Sequence, residues 1–160
     1  MSVFMDDFKT EWWVEFVDIL HSLGKLILPY HEHFPNELIM FWNLVKLTEV
    51  EEQMIDIVME QMPITNLLTE FLSSDIYNHF VVGVRLIGNI LASSNSEYCQ
   101  NFYKNNLLEN LVIGWQKYSL PEVDKECSWI LGNIIASNNL IMTKAVINNQ
   151  YFCSKFQEIL

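Results

Sequence analysis

The stretch that decides the fold is written twice in this chain. Residues 85–93 read RLIGNILAS and residues 129–137 read WILGNIIAS, so both carry Gly-Asn-Ile-x-Ala-Ser. The two copies begin 44 residues apart. A self-similar phrase at a fixed spacing of roughly 20–50 residues is typical of repeat proteins. The sequence therefore predicts an array of similar units.

A third, weaker copy precedes these two. The segment ELIMFWNLVKLTE keeps the same apolar rhythm, with Trp42 placed 43 residues before Arg85. Lys46 in this segment stands where the other copies have Asn89 and Asn133. We interpret the three copies as one recurring helix.

The segments between the copies repeat as well. Each unit reads as a short, a medium and a long helix, with apolar residues at i, i+3, i+4 and i+7, as in Ile64, Leu67, Leu68 and Phe71. Turn and helix-start residues such as Leu120-Pro121-Glu122 separate them. The sequence predicts an all-α protein with a period of about 43 residues, which is within the roughly 40–47 residues of armadillo and HEAT repeats.

Units of this kind cannot bury their apolar faces alone, so they stack around one continuous core. We expect a single armadillo solenoid over residues 1–160, wound as a right-handed superhelix of about three repeats plus a partial one. The approximate units are 1–49, 50–94, 95–138 and the partial unit 139–160. In the first unit, TEWWVEFVDILHSLGKLILPYHE reads as one long helix, or two broken near Gly24, followed by a loop.

Composition limits the function classes. The chain has 20 acidic and 9 basic residues and a net charge of −11, which argues against binding nucleic-acid phosphates and favours basic partners. We see no apolar run long enough to span a bilayer and no signal-peptide pattern. The three cysteines, Cys99, Cys127 and Cys153, are not spaced as metal or redox motifs, so we predict buried, reduced thiols.

Catalysis has no support in the sequence. His31-Glu32-His33 is the one cluster of metal-ligand types, and no further Cys or His falls at ligand spacing, so we interpret it as a polar loop. The chain has no P-loop, no GxGxxG and no nucleophile elbow. We expect neither an enzyme nor a metal or cofactor site.

The recurring long helix carries the candidate binding residues. In stacked helical repeats this helix usually lines the concave face, and the i, i+4 spacing places Trp129 and Asn133 on one side of it, with Glu126 one turn earlier. An exposed Asn can hydrogen-bond an extended peptide backbone. A Trp offers a wall for a Lys or Arg stem, with a cation–π contribution of roughly 0.5–2 kcal/mol. The alternative is a core aromatic beside a bridging amide.

At these residues the chain resembles the importin-α family of armadillo adaptors. The resemblance runs from about Asn36 to the end, and is carried by VRLIGNILAS and by KECSWILGNIIASNN followed by KAVINNQ. The order Trp42, Arg85, Trp129 is similar to a family feature, in which one repeat of the second half replaces its Trp by Arg. The chain thus looks like roughly three middle-to-late repeats.

The resemblance implies an adaptor that recognises basic nuclear localisation signals for nuclear protein import, in the cytoplasm and nucleus, without nucleic acid or membrane. Other transport factors would bind through parts absent here. Trp129, Asn133 and Glu126 would match the minor signal-binding site, which Arg85 would border. The full set of expected peptide-binding residues is Trp42, Arg85, Asn89, Glu126, Trp129 and Asn133.

Departures from the family keep a second hypothesis open. Lys46 would repel basic cargo, and the usual glycine between the first and second helices is replaced in EQMP, KNNL and NNQY. The alternative is an armadillo or HEAT scaffold for protein–protein interaction that does not bind nuclear signals. An array cut inside a repeat would also expose Phe152, Phe156 and Leu160 and associate end to end.

Overall fold

The computed structural model describes residues 37–50, 52–93 and 95–159. Within these ranges the chain forms nine α-helices and no strand, which confirms the prediction of an all-α protein. The long helix predicted within residues 10–32 and the His31-Glu32-His33 loop lie outside the described residues.

The helices recur in sets of three. The second to fourth contain 10, 10 and 16 residues, and the fifth to seventh contain 9, 11 and 16. The bounds are α1 Glu37–Val50, α2 Glu52–Gln61, α3 Ile64–Ser73, α4 Tyr77–Ala92, α5 Ser96–Lys104, α6 Leu107–Lys117, α7 Pro121–Ala136, α8 Leu140–Asn148 and α9 Gln150–Ile159. We call α2, α5 and α8 the first helices, α3, α6 and α9 the second helices, and α1, α4 and α7 the third helices.

Local chemistry explains where the helices begin. The side-chain oxygen of Asn95 accepts a hydrogen bond from the Glu97 N–H at 3.0 Å, and Asn139 accepts one from Met142 N–H at 3.1 Å. Pro121 opens α7, where its missing N–H costs nothing. Asn106, between α5 and α6, adopts a left-handed conformation with φ of 56°, so asparagine makes the turn that glycine usually makes.

Like helices of successive sets lie side by side. Among the third helices, α4 packs between α1 and α7; α3 lies against α6, and α5 contacts α8. Hydrogen bonds join the sets: the Tyr98 hydroxyl donates to Asp56, and the Tyr118 hydroxyl donates to Ser74 O at 3.1 Å. The residues in each of these pairs are 42 and 44 apart. The contact pattern of the described helices therefore repeats with the period of the sequence.

Aromatic residues hold the second helices to the rest of the core. Trp115 of α6 is fully buried, and its indole N–H donates to Asp124 Oδ1 at 2.5 Å. Phe152 of α9 packs on the Trp115 ring with centroids 5.9 Å apart and is fully buried. The prediction that Phe152 is exposed is therefore wrong, because its side chain is buried against the Trp115 ring of α6. The Phe156 side chain and Leu160 lie outside the described residues.

The cysteines divide into two environments. Cys99 and Cys127 are buried, as predicted, and burial raises the pKa of the Cys127 thiol, with Asp124 and Glu126 adding to the effect. Cys153 is exposed on α9, which corrects the prediction for that residue. No helix in the described ranges is both long enough and apolar enough to cross a membrane.

Candidate functional site

The three third helices bring the predicted binding residues to one region of the molecule. Because α4 packs against both α1 and α7, side chains of all three helices line shared cavities. Trp42 lies on α1, Arg85 and Asn89 on α4, and Glu126, Trp129 and Asn133 on α7.

The larger cavity, of about 440 Å³, we call the Trp129 pocket. Its walls include Glu49 of α1, Glu52 of α2, Arg85 of α4 and Trp129 of α7. Trp129 is 40% exposed, so much of its ring is open to solvent. The pocket combines an aromatic face with two carboxylates, which is the chemistry that accommodates a Lys or Arg side chain.

A smaller cavity, of about 100 Å³, we call the Trp42 pocket. Trp42 and Tyr77 supply its aromatic part, and Glu122 and Glu126 supply carboxylates. Arg85 lines this pocket as well as the Trp129 pocket, so it stands between the two. The site is thus two acidic, aromatic cavities divided by one guanidinium.

Arg85 ties the third helices together electrostatically. Its Nη2 lies 2.7 Å from Glu126 Oε1 on α7, and its Nη1 lies 3.9 Å from Glu49 Oε1 on α1. The Glu126 side chain is mostly covered, whereas that of Arg85 is about one third exposed. The carboxylate expected to receive a ligand cation is already paired with a cation of this chain.

Lys46 does not stand in the site as an unpaired charge. Its Nζ lies 2.6 Å from Glu49 Oε2, and its side chain is largely exposed. Four carboxylates line the two pockets, at Glu49, Glu52, Glu122 and Glu126. Against them stand Arg85 and the Lys46 that pairs with Glu49, so acidic groups outnumber basic ones.

Sequence reasoning missed three of these carboxylates. The run that contains Glu49 and Glu52 reads as the solvated start of a helix, and nothing in its spacing indicates that it faces α7. A signal for Glu122 existed, because it precedes Glu126 by four residues and therefore shares its side of α7.

The Trp129 ring packs against one glycine of the neighbouring helix. It lies against Gly88 of α4, where an added Cβ would come within 2.3 Å of the ring atom Cζ3. This contact explains the glycine of the repeated Gly-Asn-Ile phrase at that position. It also fixes Trp129 between α4 and the open pocket.

The repeated asparagines are bridges between third helices. Asn133 Nδ2 donates to Gly88 O at 3.1 Å, while Asn89 Nδ2 donates to Val45 O at 3.0 Å and to Thr48 Oγ1 at 2.9 Å. Both amide hydrogens of Asn89 are thereby used, and the residue is only 4% exposed. The expectation that Asn89 donates hydrogen bonds to a peptide backbone is corrected, because both of its amide hydrogens are bonded inside the protein.

Asn133 differs from Asn89 in exposure. It is half-buried, and its amide donates one hydrogen bond to Gly88 O. Peptide binding by Trp42, Arg85, Glu126, Trp129 and Asn133 stays a prediction.

The part of the chain that the structure describes contains no group of side chains suited to binding a metal ion. There, no group of three or more His, Cys, Asp or Glu side chains lies close enough together to hold an ion. Comparisons with models of protein families, with curated proteins and with solved structures found no significant match.

Proposed function

We propose that the chain is an armadillo-type peptide-binding module that recognises basic linear motifs, of the nuclear localisation signal kind, as an adaptor in nuclear protein import. The observation that carries the proposal is the Trp129 pocket, where a partly exposed indole faces Glu49 and Glu52. Cytoplasm and nucleus are the corresponding locations.

The architecture supports this proposal through its periodicity. Sets of three helices recur, and hydrogen bonds between sets join residues 42–45 apart. A right-handed solenoid of stacked repeats is the arrangement that such a pattern favours. Stacking then places the third helices, with their pockets, along one face.

The chemistry supports a cationic ligand. A Lys or Arg stem lying along Trp129 would gain apolar contact and a cation–π interaction of about 0.5–2 kcal/mol, while its charge approaches Glu49 and Glu52. A second basic side chain would enter the Trp42 pocket beside Glu122. The net charge of −11 adds long-range attraction for such a ligand.

Two features weaken the site relative to a groove built only for basic peptides. Both amide hydrogens of Asn89 are bonded inside the protein, which leaves Asn133 as the residue to donate to the ligand backbone. Arg85 holds Glu126, so a ligand cation must share or displace it. We therefore expect salt-sensitive binding, since exposed charge pairs are screened within about 8–10 Å at physiological ionic strength.

A peptide titration tests the proposal. A fluorescent lysine-rich nuclear-signal peptide is added to the purified chain at low and at physiological salt, with an alanine-substituted peptide as the control. We expect binding that weakens with salt and is lost with the control. Trp129→Ala should reduce the affinity about tenfold, which is the loss of roughly 1.4 kcal/mol. Ile113→Ala, at an exposed site on α6, should leave it unchanged.

A second candidate is a scaffold that does not read nuclear signals. The Arg85–Glu126 pair favours it, because the groove already contains its own cation. Under this function the lysine-rich peptide would not bind even at low salt. Unchanged affinity after Trp129→Ala would likewise remove the Trp129 pocket from the proposal.

A further inference from the structure

Third helices meet through a contact that repeats. The amide of Asn89 donates to the carbonyl of Val45, and the amide of Asn133 donates to the carbonyl of Gly88. Val45 and Gly88 occupy the same position of their helices, 43 residues apart. The α1 and α4 helices therefore each present one carbonyl to an asparagine of the third helix that follows.

At Gly88 a second group joins this contact. The Trp129 ring lies where a Cβ would be, at 2.3 Å from its position, and Asn133, one turn later on the same helix, bonds the Gly88 carbonyl. A tryptophan and an asparagine spaced i, i+4 on one helix thus both contact a single glycine of the neighbouring helix. We call a glycine that is packed by the tryptophan and hydrogen-bonded by the asparagine a glycine seat.

The position equivalent to Gly88 on α1 differs in two respects. Val45, the equivalent of Gly88, is fully buried. The third helix that follows has Arg85 at the position equivalent to Trp129. Without a Cβ, Gly88 leaves room for an indole. A glycine at this position is therefore matched to an aromatic partner.

Gly132 of α7 is the next member of the series, 44 residues after Gly88. It is exposed, and apart from its chain neighbours and the backbone of its own helix, no atom of the described residues lies within 4 Å of the place where its Cβ would be. Ile135 beside it is 45% exposed, whereas its equivalent Leu91 on α4 is 3% exposed. The described part of the chain thus presents a built seat and leaves it uncovered.

We propose that α7 binds a helix of a partner protein that carries a tryptophan and, four residues later, an asparagine. The tryptophan ring lies on Gly132, the asparagine amide donates to the Gly132 carbonyl, and apolar partner residues cover Ile135. The internal α4–α7 contact supplies both the geometry and the chemistry of this occupant. The proposal goes beyond the basic-peptide function, because its ligand is a helix and it uses none of the groove carboxylates.

The probe for the experiment is a peptide of the chain's own α7 helix, which carries Trp129 and Asn133. A fluorescein-labelled peptide of residues 121–138 carries Cys127→Ser and Ser128→Lys, and a lactam joins the Asp124 carboxyl to the new lysine amine with loss of water. It is first shown to be helical by circular dichroism. The link lies away from the face that carries Trp129 and Asn133. The peptide is then titrated into the full chain and followed by fluorescence polarisation. The control is the same peptide with Trp129→Ala and Asn133→Ala.

Variants of the full chain identify where the peptide binds. Gly132→Ala adds a Cβ at the place where the indole would lie and so excludes the ring. The chain stays folded, because alanine has a higher helix propensity than glycine at an exposed position. We expect saturable binding to the wild-type chain and affinity at least about tenfold lower for Gly132→Ala, as overpacking of a well-fitted contact predicts. Ile113→Ala should bind as the wild type does.

Three results would overturn the proposal. They are absence of binding by the helical peptide, equal affinity of the wild-type and Gly132→Ala chains, and equal affinity of the peptide and its doubly substituted control. Occupation of Gly132 by a second copy or by residues 1–36 would give the first of these results.

Discussion

At the scale of single residues, two glycines of one motif have opposite surroundings. Gly88 lies under the Trp129 ring, whereas Gly132 faces open space among the described residues. The same substitution therefore has opposite effects at the two positions. Helix propensity favours alanine over glycine at both, by about 1 kcal/mol.

We predict that Gly132→Ala raises the free energy of unfolding by up to about 1 kcal/mol. Gly88→Ala should lower it by roughly 1 kcal/mol, because displacing the Trp129 ring costs more than the gain in propensity. Urea unfolding followed by circular dichroism measures both values. A rise at Gly88 equal to that at Gly132 would contradict the packing of Trp129 on Gly88.

Tyr98 gives a pH-dependent prediction. Burial, and then the hydrogen bond to Asp56, raise the pKa of its hydroxyl from the ordinary 10 to about 12. Because the folded state favours the protonated form, this stabilisation is complete below pH 10 and is lost as the pH rises through about 12.

The free energy of unfolding should therefore fall more steeply between pH 10 and 12 in the wild type than in Tyr98→Phe. Urea titrations at pH 9 and pH 11 compare the two proteins. Parallel losses in both would show that the other alkaline groups, and not Tyr98, control this range.

At the scale of elements, the third helices share one ion-pair network. Arg85 of α4 reaches Glu126 of α7 and approaches Glu49 of α1, so a single guanidinium links all three helices. The same side chain divides the two pockets. Its removal therefore changes both the stacking of helices and the charge of the groove.

We predict that Arg85→Ala strengthens binding of the lysine-rich peptide, by about tenfold at low salt, since it frees Glu126 for the ligand. Arg85→Lys, which keeps the charge, serves as the control and should change affinity little. Fluorescence titration measures all three proteins. Weaker binding by Arg85→Ala would mean that Arg85 contacts the ligand directly.

The sequence predicted much at this scale and left specific gaps. The repeated phrase and the apolar spacing are local properties, so the helices and their period could be read from them. The hydrogen-bond partners of Asn89 could not be predicted. An i, i+4 spacing shows which residues share a face of a helix, but not which neighbouring helix that face contacts. Glu126 has the same limitation: its pairing with Arg85 depends on how α4 and α7 pack.

At the scale of the whole molecule, contacts run between neighbouring sets of helices. The α4 helix packs against α1, α3 and α7, whereas α8 contacts α5, α7 and α9 with much of its surface exposed. Local stability should follow this difference, because hydrogen exchange reports the free energy of local opening.

We predict that amides in the middle of α4 exchange most slowly and that those of α8 exchange faster, by about tenfold or more in protection. Hydrogen exchange measured by mass spectrometry, with peptides covering residues 77–92 and 140–148, tests the order. Equal protection of the two helices would indicate that the described helices open as one cooperative unit.

The pairing of a glycine with the following tryptophan constrains how such a chain can grow by duplication. A tandem copy of residues 95–138 would place its own Trp129 over Gly132, where there is room for it. A tandem copy of residues 50–94 would place an arginine over Gly88 and leave a hole. Units of this chain are therefore not interchangeable, because the presence or absence of one Cβ on a third helix decides whether a tryptophan of the next third helix has room to pack there.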